Sequence, residues 1–174
     1  MVVAIIGILS SLAIYAYQKN VQKSRVTSEV NAIFSEFQIR QEEFHAENGA
    51  YLSTGAGEAD RFPPGTPIAD GDPPIDISPL IPADPGGGTT PPDQWARLRM
   101  TPRMSALRCA YVSIAGGSGD SFGPDASSFA GPVPPDSNWY YLLAECDTDG
   151  NGPPNSLYFS RSDITGLVVR NEGE

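Results

Sequence analysis

The pattern of apolar and polar residues divides the chain into three parts, of which the first is a long helix. Residues 1–17 carry no charged side chain. After them, apolar residues recur at the three-, four- and seven-residue spacings of one helix face: Val26, Val30, Ile33, Phe34, Phe37 and Phe44. No proline precedes Pro63, and Gly49 is a C-terminal stop signal. The pattern predicts one helix over residues 2–48, about 70 Å long.

The charged residues of the predicted helix are expected to lie largely off its apolar stripe: Glu29, Glu36, Arg40, Glu42, Glu43 and Glu47. The front of the helix is different, because residues 1–17 are apolar all round and rise roughly 25 Å, the low end of a bilayer span. A helix of this length does not fit inside a 174-residue globule, so its front half is expected to project. The residues expected to face a membrane or a filament core are Val2, Val3, Ile5, Ile6, Gly7, Ile8, Leu9, Leu12 and Ile14.

The middle of the chain is rich in proline and glycine. Ten of the 17 prolines fall in residues 63–92, together with three consecutive glycines at 86–88. Such a stretch cannot form a regular helix or a central strand. Residues 53–104 are therefore predicted to be a connecting loop, and the apolar runs 75–77 and 80–81 are expected to attach it to the rest of the protein.

Residues 105–174 are predicted to form an antiparallel sheet. Four strand-like segments, each bounded by turn-forming residues, cover 106–114, 139–146, 157–160 and 167–170. With no helix expected between them, the strands predict a meander. The domain organisation is thus a helix over 1–52, with a membrane or filament segment at 1–17 and an amphipathic part at 18–52, then the loop 53–104 and the β head 105–174. The fold class is α+β.

The two cysteines of the chain lie near strand ends that meet in an antiparallel pair. Cys109 comes early in the first predicted strand and Cys146 ends the second. A disulfide between them would close a loop of about 37 residues and stabilise the fold by roughly 4 kcal/mol in the chain-entropy model. It would also indicate an oxidising compartment. Two unrelated buried thiols remain the alternative.

Charge and composition argue against two classes of function. The net charge is −10, nearly all of it after residue 52, so the head is not expected to bind nucleic acid. Neither a Gly-x-Ser-x-Gly elbow nor a phosphate-binding loop occurs, and the single histidine, His45, falls on the polar flank of the helix. The protein is predicted not to be an enzyme.

One acidic turn follows Cys146. Asp147, Asp149 and Asn151 place oxygen side chains at alternate positions, as at the start of a calcium loop. The pattern is incomplete, because Tyr158 occupies the place of the bidentate glutamate. A tight turn between two strands is the simpler interpretation. No cofactor is predicted, and calcium is left open as a weak ligand.

Several segments resemble type IV pilins and pilin-like proteins. Residues 1–9 (MVVAIIGIL) are similar to the second half of the N-terminal signature of this family, and residues 44–51 (FHAENGAY) to the phrase that often ends its long helix. Looser similarities to myxobacterial-type members occur at 95–98, 109–111, 147–152 and 169–174. The resemblance implies a long N-terminal helix packed on a small four-stranded antiparallel sheet.

The chain also departs from that family. The methylated phenylalanine, the nearby glutamate and the basic leader of the family would precede Met1. We expect the reading frame to start at an internal methionine, and a subunit that is processed differently is the alternative. Lys19, Lys23 and Arg25 follow the apolar run, which by charge alone places the head in the cytoplasm. The resemblance implies instead a head in the periplasm or outside the cell.

The function implied by the resemblance is structural. It is that of a subunit of a type IV pilus-like filament serving adhesion, twitching motility or DNA uptake. Such a subunit is held in the inner membrane, is polymerised by the pilus assembly machinery, and then contacts copies of itself and other pilins in an extracellular fibre. The alternatives are a type II secretion pseudopilin and a membrane-anchored periplasmic binding module that does not polymerise.

Overall fold

A long N-terminal helix packed against a four-stranded antiparallel sheet gives the protein an α+β fold. The computed structural model describes residues 2–65, 67–68, 72–102, 104, 106–130 and 136–172. Within helices and strands, the side chains of residues 2–13, 15–16, 18, 130 and 165 lie outside this description. The predicted α+β class is confirmed.

Helix α1 spans Val2–Asn48, as the apolar spacing and the absence of proline predict. Gly49 ends it with a φ of +75°, a left-handed conformation that glycine adopts without strain. Its N–H donates to the carbonyl of His45 at 2.7 Å, and the Asn48 amide donates to the carbonyl of Phe44 at 2.9 Å. These bonds satisfy carbonyls that the helix end leaves without a partner.

The main sheet contains four strands in the order β3-β4-β5-β6, each antiparallel to the next. After α1, the elements are β1 Ile75–Asp76, α2 Pro91–Arg97, β2 Ala106–Leu107, β3 Ala110–Gly116, α3 Pro124–Ala130, β4 Trp139–Cys146, β5 Ser156–Arg161 and β6 Ile164–Arg170. The first long strand begins later than predicted, because β2 pairs with β1 in a separate two-stranded sheet.

The main core lies between α1 and one face of the sheet. The predicted helix stripe is buried at Val26, Val30, Ile33, Phe34 and Phe37. It packs with sheet residues that alternate along β3, β4 and β5: Tyr111, Tyr140, Leu142, Ala144 and Tyr158. Burying one such apolar side chain contributes about 1.5–3 kcal/mol, so this interface fixes the rear half of α1 to the sheet.

The opposite face of the sheet carries a smaller core under α3. Phe122 and Ala126 are buried against Trp139, Tyr141 and Phe159. Phe122 meets Trp139 edge-on, with ring centroids 4.8 Å apart. The prediction that no helix separates the strands was wrong, because this seven-residue helix is too short to show an apolar period.

The connecting segment 53–104 contains more regular structure than predicted. Helix α2 begins at two consecutive prolines, Pro91 and Pro92, which suit a first helical turn because its N–H groups need no helical partner. The Asp93 carboxylate accepts the N–H of Thr90 at 3.2 Å and supports the helix start. Trp95 is fully buried, with its ring edge-on to Phe37 at 5.0 Å, and it anchors the segment to the core.

Candidate functional site

The front half of α1 is the first candidate surface. The earliest described side chains are exposed, with Ile14 at 58% and Tyr17 at 71%, followed by Lys19 and Asn20. Val26 is the first buried one. The side chains of the other residues expected in a membrane or filament core, Val2 to Leu12, lie outside the described residues. No helical stretch that the structure describes is long and apolar enough to cross a membrane.

A groove follows the exposed side of α1 farther along the helix. It has a volume of about 550 Å³ and lies between the helix and the residues Thr101 and Met104. Ile39, 59% exposed, and Met104, 37% exposed, give it an apolar floor. Glu36, Arg40 and Glu43 line its rim, with Arg40 paired to Glu43 at 2.9 Å. An exposed apolar floor with a charged rim is the usual composition of a protein contact surface.

Glu29 joins α1 to the sheet and is only 3% exposed. Its Oε1 accepts the backbone N–H groups of Arg108 at 2.9 Å and Cys109 at 3.1 Å. The same oxygen accepts the hydroxyl of Tyr111 at 2.8 Å. The expectation that Glu29 lies off the apolar stripe was wrong. Its spacing from Val26, Val30 and Ile33 puts it on the apolar stripe, and this signal could have revealed its burial.

Burial changes the titration of this group and of its partner. Desolvation raises the pKa of Glu29 above its usual value, although the hydrogen bonds from Cys109, Tyr111 and Arg108 oppose the rise. Desolvation also raises the pKa of Tyr111 well above its usual value, and the neighbouring Glu29 charge adds to this. Tyr111 therefore stays a hydroxyl donor to Glu29.

The predicted disulfide is present. Cys109 and Cys146 are bonded, with their Cα atoms 4.5 Å apart. The register of β3 and β4 pairs Ala110 with Glu145, so the two cysteines lie directly opposite each other one residue farther on. Cys109 also donates its N–H to Glu29, which places the bond at the junction of helix and sheet.

The acidic turn 147–152 is explained by its own hydrogen bonds. The Asp147 carboxylate accepts the N–H of Gly150 at 2.7 Å and of Gly152 at 3.3 Å. Asp149 accepts the Asn151 side-chain amide at 2.7 Å. Asp147, Asp149 and Asn151 thus form a tight turn between β4 and β5. Among the described residues, no three His, Cys, Asp or Glu side chains are grouped so as to hold a metal ion.

Sequence reasoning missed a polar network beside α3. Glu58 is 8% exposed and accepts the N–H groups of Asp125 at 2.8 Å and Ala126 at 2.9 Å, as well as the Tyr141 hydroxyl at 2.9 Å. Gly123 allows this approach, since a Cβ there would lie 2.3 Å from the Glu58 carboxyl. Arg61 then bridges Asp125 and Glu145. These partners are distant in sequence, and no local sequence pattern predicts their contacts.

His45 has a local structural role in the folded chain. Its ring stacks on that of Tyr51 with a centroid distance of 4.3 Å, just beyond the end of α1. Tyr51 in turn donates its hydroxyl to Glu42 at 3.2 Å. These contacts fold the chain after Gly49 back against the helix.

The chain matches no protein-family model, no curated protein and no solved structure. The resemblance to type IV pilins therefore rests on the residues themselves.

Proposed function

We propose that this protein is a structural subunit of a type IV pilus-like filament and polymerises through the front half of α1. One observation carries the proposal. Helix α1 has 47 residues, yet the described side chains before Val21 are exposed and burial against the sheet begins at Val26. The described positions from Ile14 to Asn20, about 9 Å of helix, therefore have no cover within their own chain.

The apolar character of that front half determines what can cover it. Residues 1–17 have no charged side chain. An apolar surface of this kind exposed to water strongly favours association with other apolar surfaces. Lipid of the inner membrane covers it before assembly in this proposal, and the same helices of neighbouring subunits cover it afterwards. Identical subunits that join by non-closing contacts form a helical fibre.

The remaining surfaces fit the same role. The α1 groove, with Ile39 and Met104 on its floor, offers a second contact area to neighbouring subunits. The head, with its net negative charge and disulfide, suits an oxidising environment in the periplasm and outside the cell. Other pilins and the pilus assembly machinery are the partners we propose.

A substitution in the apolar run tests the proposal. Ile8→Asp puts a charge into the predicted filament core, which costs about 2.5–3.5 kcal/mol per subunit at the centre of a membrane helix. We expect it to remove the protein from sheared extracellular fibres. Ile164→Asp is the matched control, because Ile164 is 41% exposed on β6, and fibres should persist. Fibres of normal yield from Ile8→Asp would refute the proposal.

A further inference from the structure

Two arginines near the start of the packed part of α1 have guanidinium groups that make no ion pair or hydrogen bond with the residues that the structure describes. Most described arginines are engaged: Arg40, Arg61, Arg99 and Arg161 in ion pairs, and Arg97 and Arg170 in hydrogen bonds. Among the described arginines, Arg25 and Arg108 alone make neither contact with the guanidinium, although Arg108 donates its backbone N–H to Glu29. In a chain of net charge −10, two guanidinium groups without an ion pair among the described residues need an explanation.

Both arginines line one pocket of about 370 Å³ between α1 and the residues Pro74, Met104 and Ala106. Ser24 and Ser28, one helical turn apart on α1, line the same pocket. We call Ser24, Arg25, Ser28 and Arg108 the basic pocket. Met104 and Ala106 add an apolar wall. The pocket thus combines two fixed positive charges with two hydroxyl groups.

Glu29 is the acidic residue of the lining, and its carboxylate is committed elsewhere. Its Oε1 accepts three donors on the β3 side: the N–H groups of Arg108 and Cys109 and the hydroxyl of Tyr111. The guanidinium groups of Arg25 and Arg108 form no ion pair with it. The charge of Arg108 also interacts with Glu29 and opposes the rise in its pKa. Among the described residues, however, no side chain forms an ion pair or a hydrogen bond with either guanidinium, so these donors can bind an external anion.

The donor set favours a phosphate group. A guanidinium presents paired N–H donors that match two oxygens of a phosphate, and serine hydroxyls can complete the contact. The net negative charge of the protein opposes general attraction of anions, so binding would depend on the basic pocket itself.

The position of the basic pocket along α1 identifies the source of the phosphate. Arg25 lies eight residues after Tyr17, the last residue of the uncharged run, which is about 12 Å along the helix. Helical side chains point back toward the N-terminus, so the Arg25 guanidinium extends toward that run. The headgroup layer on each side of a bilayer is about 5–8 Å thick. With residues 1–17 in the hydrocarbon, an Arg25 side chain extended toward the N-terminus brings the membrane end of the basic pocket to headgroup level.

We propose that the basic pocket binds the phosphate of an anionic phospholipid headgroup and thereby positions the head on the membrane before assembly. This inference rests on the proposed function, because it requires the front of α1 to enter the bilayer. Lys19, exposed on the helix between Tyr17 and Arg25, adds to the attraction.

Binding of the full-length chain to two kinds of vesicle tests the inference. The vesicles contain phosphatidylcholine alone, or phosphatidylcholine and phosphatidylglycerol in equal parts. The test variant is Arg25→Gln with Arg108→Gln, and the matched control is Arg97→Gln with Arg99→Gln, which removes the same charge from exposed positions. Each basic residue at an anionic surface contributes about fivefold in affinity, so the test variant should lose about 30-fold of the preference for phosphatidylglycerol. The control should keep it.

Each other outcome has a defined meaning. An equal loss in the control variant, or a wild-type chain without preference between the vesicles, overturns the headgroup site and leaves the membrane-anchored subunit intact. A wild-type chain that binds neither vesicle overturns the proposed function itself. Thermal melts in sodium phosphate and in sodium chloride of equal ionic strength form a second arm. Stabilisation by phosphate that the test variant loses, without vesicle preference, would assign the pocket to a soluble anion and overturn the lipid source.

Discussion

At the scale of single residues, Glu29 explains how the helix is aligned on the sheet. A buried carboxyl normally destabilises a fold, because its charge loses water. Here one oxygen accepts two backbone N–H groups and the Tyr111 hydroxyl, all from the segment that carries Cys109. These bonds connect α1 directly to the start of β3 and to the disulfide. The arrangement fixes the height of the helix on the sheet.

The stability of the protein should depend on pH through Glu29. Burial raises its folded-state pKa above the unfolded value of 4.5, so between these two values the folded chain holds more protons than the unfolded chain. The contribution of Glu29 is therefore fully present below the unfolded pKa and is lost as pH rises through the folded pKa. Glu29→Gln should remove this loss. A series of urea unfolding measurements from pH 4 upward, with the exposed Glu47→Gln as control, measures it. An identical pH dependence in wild type and Glu29→Gln would contradict this account.

Removal of the Glu29 side chain should be far more costly than its neutralisation. Glu29→Ala leaves two buried N–H groups and the Tyr111 hydroxyl without a partner, and each such group costs about 1–3 kcal/mol. We expect a total loss of about 3 kcal/mol in the free energy of unfolding. The amide introduced by Glu29→Gln retains an Oε1 acceptor, so this variant at pH 7.5 should lose less than about 1 kcal/mol. Equal losses in the two variants, measured by urea unfolding, would show that the hydrogen bonds do not matter.

At the scale of elements, the sequence predicts the long helix and the strands with extended apolar patterns, and it misses the two short helices. The range of α1 follows from a 47-residue pattern without proline and with Gly49 at its end. Strand β4 and the cysteine pair follow from a continuous apolar run. Helices α2 and α3 have seven residues each, which is too few for a helical period. Residues distant in sequence hold both helices in place. Trp95 of α2 packs against Phe37 of α1, and Glu58 accepts hydrogen bonds from the first turn of α3.

The Cys109–Cys146 bond should contribute strongly to the stability of the sheet. Its loop of 37 residues predicts a loss of about 4 kcal/mol on reduction. Unfolding of the native protein with and without reductant measures this loss, and mass spectrometry should show a difference of two hydrogens. The variant Cys109→Ala with Cys146→Ala is the control, since reductant should not change its stability. Two free thiols in protein taken from the cell surface would show that the disulfide is absent. They would also contradict the inference of an oxidising compartment.

Calcium should have little effect on the acidic turn. Asp147 and Asp149 already accept hydrogen bonds within the turn, so they supply an incomplete ligand set. With a millimolar dissociation constant, added calcium at 1 mM would raise the melting temperature by no more than about 2 °C. Thermal melts with calcium and with chelator test this. A rise of many degrees that Asp149→Ala abolishes would show that the turn is a structural calcium site.

At the scale of the whole molecule, charge and hydrophobicity are separated along the chain. The first 28 residues contain three basic and no acidic residues, while all 21 acidic residues follow. The exposed front of α1, the basic pocket and the acidic head therefore succeed one another along the helix axis. Such an order suits a subunit whose apolar end is held first in a membrane and then in a filament core, while its head is exposed to solvent. The proposed polymer requires that the front of α1, and not the head, drives association.

Sedimentation of two forms of the chain tests that requirement most directly. The full-length protein and a chain that starts at Ser24 are compared in detergent-free buffer, and the sheared surface fraction of cells that express each form is imaged by electron microscopy. We predict that the full-length protein is found in filaments or in the membrane fraction, and that the chain from Ser24 is a soluble monomer. A full-length protein that remains a stable monomer without detergent would contradict the account.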